Sequence, residues 1–165
     1  MLFVTWRLQG SLRTKPHCAT VAAVDRMLDR APGEPQLLSQ ARYAKIVKRT
    51  LLRYDRELYR LDAWVVMHNH IHLLIEPKAG LSYIARTIMD ETDDLARTTL
   101  WVRESYERVV NSEAAEISHW IESHPVRAGL VSRPEEWEWS SAHSEPTRKL
   151  DLPPLRRATR KSAAA

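Results

Sequence analysis

The stretch Ala63-Trp64-Val65-Val66-Met67-His68-Asn69-His70-Ile71-His72-Leu73-Leu74-Ile75 decides the fold. It places His68, His70 and His72 at alternate positions. Strand side chains point to opposite faces with period two, so a strand here sends all three imidazoles to one side of a sheet. Ile71, Leu73 and Ile75 then point the other way, into a core. Two neutral imidazoles two residues apart can hold one divalent metal, because their ring nitrogens converge. The competing reading is a strand edge that merely carries polar residues. Spacing alone does not choose between them.

Outward from this stretch, Leu58–Val66 reads as a strand, followed by a turn at His68-Asn69 and the histidine strand, which Pro77 and Gly80 end. Phe3 to Leu8 alternates enough to be a first strand, closed by Gly10. Residues 20–30 read as a short helix, stopped by the run from Ala31 to Pro35. Ser39 is the expected N-cap of a helix near 40–56, with Tyr43, Val47, Leu51 and Tyr54 as its apolar stripe. Arg42, Lys45, Arg49 and Arg53 line another face of that helix, which is either solvated or phosphate-binding. A further helix is expected over 81–97. Another is expected over about 112–122, capped by Ser112 and stopped by Pro125. Residues 126–145 should wrap back as a structured loop anchored by Trp137 and Trp139. The expected organisation is one domain over 1–145 and a basic, disordered tail over 146–165, which is rich in Pro, Arg, Lys and Ala.

Composition is that of an ordinary soluble protein, with 44% apolar and 28% charged residues. No apolar run approaches the roughly 20 residues that span a bilayer, and no basic-then-apolar leader opens the chain. The single Cys18 excludes an internal disulfide and a cysteine-based zinc cluster, so a reducing, cytoplasmic setting is expected. Four glycines, none in a phosphate-cradling pattern, argue against nucleotide-loop chemistry. Charge is segregated: residues 1–60 carry net +7, residues 61–145 net −8 and residues 146–165 net +5. The basic ends can meet phosphates, while the acidic middle repels them unless a metal intervenes.

Three separated blocks share one pattern. They are Trp64 to Leu74, Leu100 to Val110, and Trp120-Ile121-Glu122-Ser123-His124-Pro125-Val126-Arg127-Ala128-Gly129-Leu130-Val131 followed by Pro134 to Ala142. In this order and spacing the chain resembles the HUH-type tyrosine transposases, in particular the REP-associated branch, over roughly residues 2–143. The resemblance implies a single compact α+β domain of ferredoxin-like type, a mainly antiparallel sheet with helices packed on it. It implies transposition chemistry on single-stranded or hairpin DNA, as a monomer or homodimer. It places the family's histidine-hydrophobic-histidine motif on His70, Ile71 and His72, as ligands of Mg²⁺ or Mn²⁺. In that family a tyrosine on the helix that precedes the Asn-Pro-Val-Arg-Ala-Gly-Leu segment attacks the phosphate, and a polar side chain four residues later helps hold the metal.

The chain departs from the pattern at that helix. Trp120 occupies the nucleophile position, and an indole has no ionisable oxygen with which to form a phosphotyrosine-like link. Tyr106, in the second block, is the nearest remaining tyrosine there, and Tyr83 precedes it on the helix 81–97. His124 stands where the family has an amide, one helical turn after Trp120. It could join His70 and His72 as a third imidazole, a ligand set that favours Zn²⁺. His68 is another candidate neighbour. The segment after the histidine strand is shorter than the family's and carries Asp90, Glu91, Asp93 and Asp94, which either oppose DNA or face solvent. Arg103, Arg108, Arg127, Arg133 and the tail join the basic helix as candidate DNA contacts, while by the resemblance Arg127 and Trp139 read first as packing residues of the motif. Three functions remain open: a transposase or nuclease with another nucleophile or metal-bound water, a non-cleaving DNA-binding protein, and a metal-binding remnant.

Overall fold

A computed structural model describes residues 1–11, 21–29 and 36–143. The expected tail over 146–165 and the loop ending at Pro35 lie outside the described residues. Four strands, β1 (Leu2–Arg7), β2 (Tyr59–Val66), β3 (His70–Pro77) and β4 (Tyr106–Val109), form one sheet in the order β2-β3-β1-β4. Every neighbouring pair is antiparallel. The helices are α1 (Val21–Asp29), α2 (Ala41–Tyr54), α3 (Leu81–Ala96), α4 (Ala114–Glu122) and the single turn α5 (His124–Arg127). This is an α+β fold, as the resemblance implies.

Strand alternation divides the core in two. Val4, Trp6, Trp64, Val66, Ile71, Leu73 and Ile75 face one layer, where Val47 and Leu51 of α2 and Ile84 and Ile88 of α3 cover them. Phe3, Ala63, Val65 and Leu74 face the other, against Ile121 and Trp120 of α4. Because both faces are covered, the first six residues of β3, His70 to Ile75, are all buried. Met67 to Asn69 turn the β2–β3 hairpin, closed by a 2.9 Å bond from the Met67 amide to the His70 carbonyl. His68 therefore sits in the turn, and only His70 and His72 share a strand face.

The expected stripe of α2 is buried and its basic residues Arg42, Lys45 and Arg49 are exposed. Ser39 is not its cap. It lies in a 3-10 turn, Leu37–Ser39, and Gln40 takes the cap position without a side-chain bond. That turn is pinned to the hairpin by the Leu38 amide on the His68 carbonyl (3.1 Å) and by the buried Leu38 side chain, so helical geometry begins later. Likewise Glu113, not Ser112, precedes α4, and its carboxylate takes the Asn111 amide and Arg108.

Pro125 ends α4 but not the helical path. α5 restarts at once, with the proline in its first turn, where a missing N–H costs nothing. Gly129, at φ +72°, closes α5 through bonds from its own amide to the Val126 carbonyl and from the Leu130 amide to the Pro125 carbonyl. The following loop wraps back as the two tryptophans suggest. The Trp137 indole donates to the Val66 carbonyl (3.0 Å), and the Trp139 carbonyl accepts from the Val66 amide (2.8 Å), so the loop covers the free edge of β2. Strand β4 is absent from the sequence reading, since three of its four residues are exposed and only its ladder to β1 defines it.

Leu73 is fully buried at the centre of β3. Replacing it with alanine should cost about 2–5 kcal/mol, read by urea denaturation. A loss below about 1 kcal/mol would contradict the packing described.

Candidate metal centre

Three imidazoles and a carboxylate meet on the α4 side of the sheet. Asp25 of α1, His70 and His72 of β3, and His124 of α5 each offer one ligand atom, and these atoms lie within 4.8 Å of one another. The ring centroids of His70 and His72 are 4.7 Å apart, and each is 5.1 Å from that of His124. The strand supplies the first two through its period of two. The break between α4 and α5 turns His124 inward, where it is fully buried. The cluster could hold a metal ion.

Hydrogen bonds assign which ring nitrogens are free. The Asn69 amide nitrogen donates to the Leu28 carbonyl at 2.9 Å, so its oxygen faces His70 Nδ1 at 2.7 Å and must accept from it. His70 Nε2 is thereby left with a lone pair and no partner. His124 Nε2 lies 3.2 Å from both oxygens of Asp29 and donates to that carboxylate, leaving Nδ1 buried and unpartnered. His72 Nδ1 bonds Thr5 Oγ1 at 2.8 Å. Its Nε2 comes within 2.9 Å of Asp25 Oδ1, yet the two are out of line for a hydrogen bond, and both remain without one. Buried polar atoms are almost always satisfied, so four orphans converging on one point fit a cation. Each imidazole also has the outer hydrogen-bond partner that ligating histidines normally keep.

Electrostatics suit that role. Burial, with the neighbouring His72 and His124 adding to it, holds the His70 pKa well below its ordinary 6.5. Burial, then His124 and Arg127, does the same for His72. Both rings are therefore neutral near pH 7, the form that binds metal. Burial raises the Asp25 pKa above its ordinary 3.8, against the pull of His124, His70, Arg127 and Arg26. A bound cation would reverse that shift. Three nitrogens and one carboxylate oxygen form a set of the kind that imidazole-preferring transition ions take, rather than the all-oxygen shell of Mg²⁺.

The other candidates are distributed as follows. The Trp120 ring lies 5.4 Å from that of His72 and 5.8 Å from that of His124, with the Arg127 guanidinium 4.3 Å over its centroid. Tyr106 pairs with Thr5 in the rung that contains His72, with Thr5 between them, and meets Phe3 edge-on at 6.4 Å. His68 stays apart, packed on Trp137 at 5.6 Å. Tyr83 is exposed on α3, in the opposite layer. Arg42, Lys45, Arg49 and Arg53 ride on α2, also across the sheet from the histidines, and Arg53 is bonded to Glu91 at 2.7 Å. Arg103 is held by Asp90 and Asp93 at 2.6 and 2.9 Å, so the acidic segment is largely spent on arginines. Arg108 pairs with Glu113 at 3.1 Å on β4.

Asp25 and Asp29 are the functional residues that sequence reading missed. Two carboxylates one turn apart on a short helix were the available signal, since such positions share a face. Arg7, opposite His70 in the β1–β3 register, and Arg26, next to Asp25, bring further positive charge to this side.

With metal chelated, stability should fall as pH drops below about 6.5, because the unfolded chain then binds protons that His70 and His72 refuse. Thermal melts from about pH 7.5 to about pH 5.5 check this, and a flat profile would refute the buried neutral pair. Asn69→Ala should lower metal affinity roughly 10–100-fold in a calorimetric titration, because His70 loses the bond that aims its free nitrogen.

No family model and no curated protein sequence matches this chain. Among solved structures it is similar to a REP-associated tyrosine transposase bound to a REP hairpin. The two share 20% identity with a TM-score of 0.62, over 90% of this chain and 80% of that one. This protein has the fold of that transposase.

Proposed function

We propose that this protein is a transposase-like DNA-binding protein of the HUH type that binds single-stranded, hairpin-forming DNA and does not transfer strands. The observation that carries the reading is Trp120, packed beside His72 and His124 in a fold also found in a hairpin-bound transposase. By the resemblance, this is where the attacking tyrosine stands. An indole cannot attack a phosphorus centre, and Tyr106 approaches the histidines only across β1. A divalent metal held by His70, His72 and His124, with Asp25 as the one carboxylate of the cluster, would leave positive charge beneath the α4 surface.

Phosphates near this centre would meet Arg7, Arg26 and Arg127, which lie on its side of the sheet. Arg42, Lys45 and Arg49 would reach only DNA that wraps round the sheet edge. Among the described residues no helix is long and apolar enough to cross a membrane.

The test is a set of labelled hairpin and random single strands, titrated at several salt concentrations and incubated with several divalent metals. Hairpins should bind more tightly than random strands, with affinity falling as salt rises. Arg7→Ala should reduce the salt slope by about 1. Wild-type protein should give neither a covalent adduct nor a cleaved product. A cleaved hairpin with any metal would overturn the reading in favour of a water-using nuclease, and equal affinity for random strands would remove its hairpin specificity. A Trp120→Tyr variant that gains an adduct would confirm the position of the lost nucleophile.

A further inference from the structure

We propose that Asp25 completes a closed four-ligand set with His70, His72 and His124, so that the metal is a structural staple of the zinc class. In this role it locks α1 onto the sheet. Catalytic zinc sites keep three protein ligands and an open position, whereas structural sites fill all four from the protein. Four features of this chain match the closed kind.

The four unpartnered atoms number one per ligand: Asp25 Oδ1, His70 Nε2, His72 Nε2 and His124 Nδ1. The three histidines are fully buried and Asp25 is 5% exposed, so little solvent reaches the cluster. The solvent side is occupied by a stacked pair, with Trp120 against His72 and His124 and Arg127 over Trp120. Arg127 donates to the Trp120 carbonyl at 2.6 Å and lies 3.7 Å from Asp25, which ties the cover to the cluster it covers. Finally, the ligands come from α1, β3 and α5, positions far apart in sequence. A bond joining them removes freedom chiefly from the unfolded chain and adds binding energy to folding.

Helix α1 gains most from such a link. Asp25 meets His72 of the sheet, the Leu28 carbonyl accepts from Asn69 of the hairpin turn, and Asp29 pairs with His124 of α5. A metal drawing Asp25 toward His70 and His72 converts these contacts into one cross-link.

The inference concerns the metal and stands whether or not DNA binds. Zn²⁺, Co²⁺ and Mg²⁺ are each added to chelator-stripped protein. One equivalent of Zn²⁺ should bind and raise the melting temperature by roughly 5–10 °C at a hundredfold excess over its Kd. Millimolar Mg²⁺ should not. Amides of α1 should gain exchange protection with Zn²⁺. Asp25→Asn should lose most of the thermal shift. Co²⁺ in the wild-type protein should show the intense visible absorption of a four-coordinate ion, unchanged by inorganic phosphate, and this needs no variant to fold. A weak six-coordinate spectrum, a spectrum altered by phosphate, equal stabilisation by Mg²⁺, or no metal binding would each overturn the proposal. Loss of hairpin binding with these metal properties intact would overturn the DNA reading alone.

Discussion

The interior of this protein is organised around imidazoles that have been taken out of water and kept uncharged. His70 and His72 cannot face solvent without exposing β3, which is buried along His70 to Ile75. They cannot carry a proton where they are, because burial and mutual repulsion both oppose it. Their outward nitrogens are satisfied by Asn69 and Thr5, and their inward nitrogens are left to converge. The surrounding elements answer to that demand. Helix α1 brings two carboxylates, and the α4–α5 break brings His124 with its Nε2–H directed at Asp29. A cavity of this chemistry without a cation would hold four unpaired polar atoms, each a cost to folding.

The same geometry separates two kinds of positive charge. Arginines on α2 and beside α3 are on the far layer, and several are already bound to acids: Arg53 to Glu91, and Arg103 to Asp90 and Asp93. The Glu91 carboxylate also takes the Tyr54 hydroxyl at 2.5 Å. Those acids look in the sequence like a barrier to DNA, yet they serve as struts between α2, α3 and the loop after α3. Net charge by segment therefore misjudges which surface is free to attract phosphate.

The histidine strand, the apolar stripe of α2 and the returning tryptophan loop were legible in sequence because each is a local rule. Period two, period three to four, and a proline followed by aromatic anchors need no knowledge of distant residues. The resemblance carried the third imidazole, since His124 can be placed beside His70 and His72 only if α4 crosses that face of the sheet. Asp25 was hidden because the pair Asp25 and Asp29 shares one helix face without saying whether that face turns inward or to water. Strand β4 was hidden for a related reason: its residues Tyr106 to Val109 bury little, and only the β1 ladder makes them a strand. The caps differ at Ser39, where the tertiary Leu38–His68 bond holds a 3-10 turn, and at Ser112, where the Glu113 carboxylate bonds locally to the Asn111 amide.

Strand β1 sits inside the sheet, between β3 and β4, although it is among the first residues of this sequence. Its two ladders close onto residues 70–75 and 106–109. The four-atom cluster likewise needs His124. Only the β2–β3 hairpin with its neighbouring helices can assemble from contiguous chain. Both ladders of β1 therefore join segments far apart in sequence, and each must close a long loop to form. Without β1, His72 would lack both the Thr5 hydroxyl on its Nδ1 and the Phe3 ring stacked against it. The completed site exists only in the completed fold.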